Sequence, residues 1–231
     1  MGPNNIETTD DDTTDMQMVI YNITYEERNH IYEPREDTFT LINTLEQDLK
    51  RIRLMNVGMI LEIGSGSGVV IATLAKQLKK DNIPCYYLAT DINPEACKFT
   101  EKTGRSNVVD INVVQMDLLN NIRYNEMFDI IIFNPPYVVT PTEETTSSEL
   151  IYRTWAGGQN GREVMEKAFP YIPRLLSNIG VFYLLVIKDN NPNYIIESFR
   201  HLGMTGTIVK KRKIMGERLY VIRFTKDSNV Q

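Results

Sequence analysis

Three carboxylates and three glycines are spaced so that one nucleoside could be held between them. In LEIGSGSGVV, residues 61–70, Gly64, Gly66 and Gly68 follow an apolar run and open a helical pattern. Glycines at such a junction let the backbone turn sharply and approach a ligand closely. The spacing is GxGxG. Val69 stands where the dinucleotide fingerprint has its third glycine, and no Lys-Ser/Thr pair closes the loop as in a triphosphate-binding loop. Nicotinamide and nucleoside triphosphates are therefore disfavoured. Glu62 lies inside the preceding strand, where a carboxylate is costly to bury without a partner; a ligand with a positive charge would supply one. Asp91, in ATDINPEA, ends the next strand and is placed to accept both hydroxyls of a ribose. Asp117, in QMDLL, follows the third strand and can accept from an exocyclic amine such as that of adenine. Each has a plainer reading alone: a tight turn, a helix N-cap, a loop residue. At one edge of one sheet, where open α/β sheets bind their ligands, they describe ribose, adenine and a cation without phosphates. That combination is S-adenosylmethionine.

A second constellation is FNPPYVV, residues 133–139, directly after the apolar run Ile130-Ile131-Ile132. Pro135 and Pro136 remove two main-chain donors and fix their own backbone angles. Asn134 and Tyr137 add an amide and a phenol. A buried strand here ends in a stiff, polar, aromatic corner.

These residues need a scaffold, and the pattern between them supplies one. Phe39, Ile42, Leu45, Leu49 and Ile52 recur at three- and four-residue spacing, which predicts a helix over 36–52 with acids in its first turn. Strands are then expected at 59–63, 86–90, 111–115, 129–133 and 181–187, and helices at 69–80, 94–103, 162–176 and 192–202. Two final strands, 205–213 and 218–225, flank a Met215-Gly216-Glu217 turn and pair antiparallel. Alternating strands and helices predict a doubly covered α/β sheet: seven strands, Rossmann-like, mostly parallel, with a C-terminal antiparallel hairpin. Residues 1–17 are rich in Thr, Asp and Asn and are expected to be a disordered acidic tail. Residues 18–231 are expected to form a single domain, and 18–34 a short strand or lid. No internal repeat is present.

Bulk properties narrow the function. The chain has 231 residues, 42% of them apolar and 24% charged, ordinary for a globular protein. No apolar run approaches the roughly 20 residues that span a bilayer, and no signal-peptide pattern opens the chain. Cys85 and Cys97 form no CxxC and fit a reducing compartment, the cytoplasm or nucleus. With only His30 and His201, a histidine-based metal site is not expected, and both are read as surface or capping residues. Residues 1–149 hold 12 Lys+Arg against 24 Asp+Glu, and residues 150–231 hold 13 against 6. The acidic half argues against stable binding along DNA. The basic run Lys210-Lys211-Arg212-Lys213 suits an exposed edge strand, where charge blocks aggregation, and leaves room for an acidic partner.

Together LEIGSGSG, ATDINPEA and FDIIIFNPPY resemble the Rossmann-fold methyltransferases, and among them the HemK-type glutamine methyltransferases of translation termination factors. YEPREDTF (32–39) and WAGGQNGREVM (155–165) narrow the resemblance to the eukaryotic/archaeal branch, which acts on the class I release factor. It runs from about residue 32 to 225 and departs over residues 1–25. The resemblance implies S-adenosylmethionine as cofactor, held by Thr38, Glu62, Gly64, Gly66, Asp91, Asp117, Leu118 and Asn134. It implies catalytic roles for Asn134, Pro135 and Tyr137, with Pro136 completing the substrate corner. In such a corner the Asn134 side-chain oxygen and the Pro135 carbonyl take the two N–H bonds of a planar nitrogen and aim its lone pair, while Tyr137 covers the amide plane. No general base is needed, because nitrogen becomes acidic as it attacks.

Gly157-Gly158-Gln159 copies the target tripeptide of this branch, but it belongs to a Trp-Ala-Gly-Gly segment of the enzyme and is not read as a self-substrate. Trp155 is expected to anchor the core or a substrate loop, and 140–154 to be a mobile loop facing the substrate. Enzymes of this branch pair with a small zinc-binding activator protein. The strand 111–115, with Ile111, Val113 and Val114, would be an edge strand open to strand addition, giving a heterodimer. The rival readings are methylation of adenine in DNA or RNA, a non-catalytic cofactor-binding scaffold, and methylation of other proteins or small molecules.

Overall fold

All seven expected strands are present in the computed structural model, which describes residues 16–123 and 125–227. They are β1 (Met59–Ile63), β2 (Tyr86–Asp91), β3 (Asn112–Gln115), β4 (Phe128–Phe133), β5 (Leu176–Ile187), β6 (Met204–Lys213) and β7 (Arg218–Lys226). They form one sheet in the order β3-β2-β1-β4-β5-β7-β6. The first five are mutually parallel, and β7 runs antiparallel to both β5 and β6. The chain moves outward from β1 to β3, then returns to β4 on the other side of β1. This reversal opens a crevice beyond the C-terminal ends of β1 and β4, the place where such sheets bind ligands.

The pleat sorts the core into two layers. Ile130 and Ile132 of β4 face one side with Ile60, Val181 and Tyr183, while Ile131 faces the other with Leu61, Phe182 and Phe224. Helices cover both sides, so the central strands read as unbroken apolar runs. The first layer is covered by α1 (Glu36–Gln47), α2 (Leu49–Leu54) and α3 (Val69–Lys80) through Leu41, Ile42, Leu45, Ile52, Ile71, Leu74 and Leu78. The second is covered by α5 (Glu163–Ala168), α6 (Ile172–Leu175) and α7 (Pro192–Arg200) through Met165, Ile172 and Phe199, with Phe169 between α5 and α6. Between α3 and α5 in sequence, α4 (Pro94–Ser106) packs on β2 and β3.

Two expected helices are divided. The 36–52 helix breaks at Asp48, whose carboxylate leaves the helical path to accept from the Tyr183 hydroxyl at 2.8 Å and from Arg223 Nη1 at 2.7 Å. The 162–176 helix breaks because Pro170 and Pro173 supply no N–H, leaving a 3-10 turn, Phe169–Tyr171, between α5 and α6. The packed chain also begins earlier than composition suggests. Met16 and Val19 are buried against the first layer, and residues 1–15 lie outside the described residues. From there a strap crosses α4. Asn107 bonds both the N–H and the C=O of Ile20 at 2.8 Å, Lys102 pairs with Glu27 at 2.8 Å, and Asn93 Nδ2 donates to the His30 carbonyl at 2.7 Å. Both histidines are exposed.

The sheet edges are β3 and β6. On β3 Val114 is exposed, whereas Val113 packs partly on the core and Ile111, just before the strand, is buried. The basic run 210–213 ends β6. No helix among the described residues is long and apolar enough to cross a membrane.

Candidate active site

One cavity of about 760 Å³ opens over the crevice, and Thr38, Glu62, Gly64, Gly66, Asp91, Asp117, Leu118, Asn134, Pro135, Pro136 and Tyr137 all line it. Its inner half is built by the β1–α3 loop. Gly64 and Gly66 adopt φ of 63° and 53°, a left-handed path that only glycine takes without strain. Gly68 has φ 68° and faces away from the cavity, where a Cβ would sit 2.8 Å from the Thr100 side chain of α4. The tight loop aims a donor at the next strand, the Gly66 N–H donating to Asp91 Oδ2 at 2.9 Å, and from the turn after that strand the Asn93 N–H donates to Oδ1 at 2.8 Å. Burial nonetheless pushes the Asp91 carboxyl upward, against the pull of those N–H groups. Glu62, 2% exposed, accepts from the Ile71 N–H at 3.1 Å. Burial, with Asp91 adding repulsion, pushes its carboxyl up to about 8. Asp117 is exposed at the rim, beside Leu118, which holds φ 50°.

The outer half is the Asn134–Tyr137 corner, and its electrostatics are set by a residue of α1. Asp37 is buried, 3% exposed. Its Oδ1 accepts from the Thr38 N–H at 2.7 Å, and its Oδ2 accepts from Asn134 Nδ2 at 3.0 Å and from the Tyr137 hydroxyl at 3.4 Å. The Tyr32 phenol lies close enough to feel the charge of this carboxylate. Burial, with the charge of Asp37 adding to it, raises both phenols far above their usual range, so they remain donors. The consequence lies at Asn134. Its amide nitrogen is committed to Asp37, and its Oδ1 is buried with no hydrogen-bond partner, alone in that condition among the buried side-chain atoms described. Buried acceptors are rarely left unpaired, at a cost of about 1–3 kcal/mol. Asn134 is among the residues that line the cavity.

The segment 140–158 closes one side. Val138 pairs with Ala156, and Thr142 and Gln159 both bond Glu163 of α5. Leu150, Ile151, Arg153 and Trp155 face the cavity, Trp155 resting its ring edge-on to Tyr152 at 5.3 Å.

The methyltransferase small domain family profile matches residues 37–165. Methyltransferase HEMK2 of Homo sapiens is 46% identical over 198 residues, 85% of this chain and 90% of that protein. The chain belongs to this methyltransferase family. The eRF1 methyltransferase catalytic subunit mtq2 of Schizosaccharomyces pombe is 36% identical over 211 residues, covering 86% of this chain and 90% of that one. Among solved structures, the E. cuniculi Mtq2–Trm112 complex responsible for methylation of the eRF1 translation termination factor superposes with a TM-score of 0.63 at 30% identity, over 86% of this chain and 99% of that one.

Two residues of this methyltransferase site have roles that sequence reasoning misses. Asp37 reads as a first-turn acid that complements a helix dipole, yet its side chain turns inward to the Asn134 amide. Asn190, after β5, is fully buried against the same corner. The one available signal was Asp37 lying next to Thr38, itself expected at the cofactor.

Proposed function

We propose that this methyltransferase transfers a methyl group from S-adenosylmethionine to the side-chain amide nitrogen of the glutamine in the GGQ motif of a class I release factor. One observation carries the reading: the buried, unpaired Oδ1 of Asn134, whose orientation Asp37 fixes. An acceptor held this way asks for a donor, and a carboxamide NH2 brings two. Asn134 Oδ1 takes one N–H and the Pro135 carbonyl the other. With both N–H bonds held, the nitrogen is fixed in place and its attack aimed at the methyl group. As nitrogen gains positive charge, the two oxygens stabilise it more strongly, which is where the rate gain lies. The proton leaves to water once nitrogen is acidic, so the chain supplies no base. Tyr32 and Tyr137 stay protonated beside Asp37, and the Tyr137 hydroxyl donates to it.

The cavity fits the cofactor. Asp91 keeps lone pairs beyond those given to Gly66 and Asn93 and can accept ribose hydroxyls. Asp117 and Leu118 would flank the adenine, Gly64 and Gly66 allow close approach, and Thr38 sits beside the corner. Glu62, buried and poised near 8, suits a ligand carrying positive charge. When bound, the cofactor supplies an electrophilic methyl on sulfur.

We further infer a heterodimer with a small zinc-binding activator that adds to the free edge of β3, beside exposed Val114, Tyr86 and Val108. Residues 18–231 are read as one domain working in the cytoplasm, and in the nucleus as well. The decisive experiment incubates the chain and activator with labelled cofactor and release factor, its GGQ glutamine intact or replaced. Label that requires the glutamine supports the proposal. Label insensitive to it, or appearing on DNA, RNA or another acceptor instead, overturns it.

A further inference from the structure

A double-proline corner has a mechanical weakness. Pro135 and Pro136 offer no N–H, so nothing on their own main chain can donate to hold them. The corner must be anchored at its flanks. On the strand side Phe133 is paired with Ile63 and Leu184, and Asn134 is tied to Asp37. On the far side the anchor is Asn190, in the turn that ends β5. Its Nδ2 donates to the Tyr137 carbonyl at 2.8 Å and to the Asn160 carbonyl at 3.1 Å, and its Oδ1 accepts from the Ile187 N–H at 2.8 Å. Asn190 is 0% exposed, so these bonds have no competition from water.

The bend at 157–161 makes this grip possible. Gly161 adopts φ 64°, and a Cβ there would lie 2.0 Å from the Tyr137 oxygen and 2.4 Å from Asn190 Nδ2. Only a bare α-carbon lets the bend, the amide and the Tyr137 carbonyl meet. The Gly157 N–H donates to the Val138 carbonyl at 2.8 Å, and the Val138 N–H to the Trp155 carbonyl at 3.0 Å. Behind Asn190, Arg162 Nη1 donates to the Asn190 carbonyl at 3.1 Å while its guanidinium lies over the Tyr194 ring. The Gly-Gly-Gln stretch, which resembles a target motif, is therefore part of a socket for the corner.

We propose that Asn190, lodged in this glycine bend, is a positioning residue: by gripping the Tyr137 carbonyl it fixes the Pro135 carbonyl two residues earlier, and so the second acceptor for the methylated nitrogen. The proposal rests on the function argued above. Pro136 leaves few free torsions between the two carbonyls, so movement at Tyr137 passes to Pro135. A shift of about 1 Å at a reacting group can cost on the order of 100-fold in rate.

The test compares Asn190→Ala and Asn190→Asp with Asn191→Ala in the full chain, with its activator. Asn191 caps α7 by accepting from the Tyr194 N–H and touches nothing in the corner, so its loss lowers stability alone. For both Asn190 variants kcat at saturating release factor should fall at least tenfold, KM should change less than threefold, and S-adenosylhomocysteine affinity by calorimetry should stay within twofold. Asn191→Ala should lower Tm and keep kcat within twofold. Hydrogen exchange gives a readout independent of substrate: the Val138 amide should exchange at least tenfold faster in Asn190→Ala, with the Ile71 amide unchanged. Asn190 variants within threefold of parental kcat, a kcat loss matched by Asn191→Ala or by lost S-adenosylhomocysteine affinity, or an unmoved Val138 amide overturns the proposal. A parent chain inactive on release factor sinks the substrate reading alone; the kcat comparison then runs on whichever acceptor takes label, and Val138 exchange still decides the anchor.

Discussion

Replacing Asp37 by Asn should turn the methyl-acceptor site inside out while barely changing its shape. Asp37 accepts on both oxygens: Oδ1 from the buried Thr38 N–H at 2.7 Å, Oδ2 from Asn134 Nδ2 at 3.0 Å. An amide has one acceptor oxygen. The Thr38 N–H is main chain and cannot turn away, so the new amide keeps its oxygen there and points its NH2 at Asn134. Two donors then face each other. Asn134 relieves this by flipping, which hands its Oδ1 to residue 37 and aims its Nδ2 at the cavity, donor against the donors of the substrate. Losing one preorganised group that stabilises developing charge costs about 2.7–4 kcal/mol, and each 1.36 kcal/mol is tenfold. The expected loss in kcat is therefore on the order of 10²-fold or more. S-adenosylhomocysteine affinity, measured by calorimetry, should stay within threefold, because Glu62, Asp91 and the glycine loop are untouched. If the new amide instead turned its oxygen to Asn134, the Thr38 N–H would lose its acceptor at about 1–3 kcal/mol, and Tm would fall. A variant with kcat within threefold of the parent and an unchanged Tm would refute this account of the corner.

Asn134→Ala removes the acceptor outright and should lower kcat by about 10²–10³-fold with little loss of fold; parental turnover on the glutamine substrate would end the proposed chemistry. Glu62 has a ligand-free value of about 8 against an ordinary 4.5. A raised folded value means that its contribution to stability is present below about 4.5 and lost as pH rises through about 8, so the ligand-free chain should melt lower at pH 8 than at pH 6. Affinity for the cationic cofactor should run the other way, rising up to about pH 8 with release of a proton near pH 7, and Glu62→Gln should flatten both trends; calorimetry in two buffers of different ionisation enthalpy reads the proton. Val114→Asp on the open edge of β3 should weaken activator binding at least tenfold and leave monomer Tm within a few degrees, whereas unchanged co-purification would place the partner elsewhere.

The sheet was legible because period-two and unbroken apolar runs are local signals. Ile130-Ile131-Ile132 could hardly be anything but a strand covered on both sides, and the glycine loop marks its own turn. Helix ends were less legible, since their causes are tertiary: α1 stops at Asp48 because Tyr183 and Arg223, far away in sequence, draw off its carboxylate. The inner half of the cavity was readable because Asp91 ends β2, Glu62 and Asp117 lie within two residues of the ends of β1 and β3, and the fold brings those strand ends together. The acceptor half was only partly readable. Asn134, Pro135 and Tyr137 announce themselves as a motif, but what decides their behaviour comes from α1 and from the turn after β5. An acid at a helix start and an asparagine before a helix cap both have ordinary local explanations, and nothing in the local pattern says which way either side chain points.

The asymmetry at Asn134 bears on substrate class more strongly than the motif does. A carboxamide with both ends bonded would be a structural pin. One with both ends free would take donors and acceptors alike. Here the donor end is held by a buried carboxylate and the acceptor end is buried and unpaired, so the site discriminates against ligands that present only lone pairs. A carboxylate or an ester at this corner would set oxygen against oxygen. A hydroxyl could give one hydrogen bond but not satisfy Asn134 Oδ1 and the Pro135 carbonyl together. A planar NH2 satisfies both. That leaves glutamine and exocyclic amines such as that of adenine, and the surroundings separate them. A flipped base needs unstacking and a cationic surface to hold its strand, whereas this corner lies in the half of the chain with 24 acids against 12 Lys+Arg. A glutamine on a loop needs only reach, and the two glycines that precede it, which add no side chains, let it enter a crevice walled by Ile151 and Trp155.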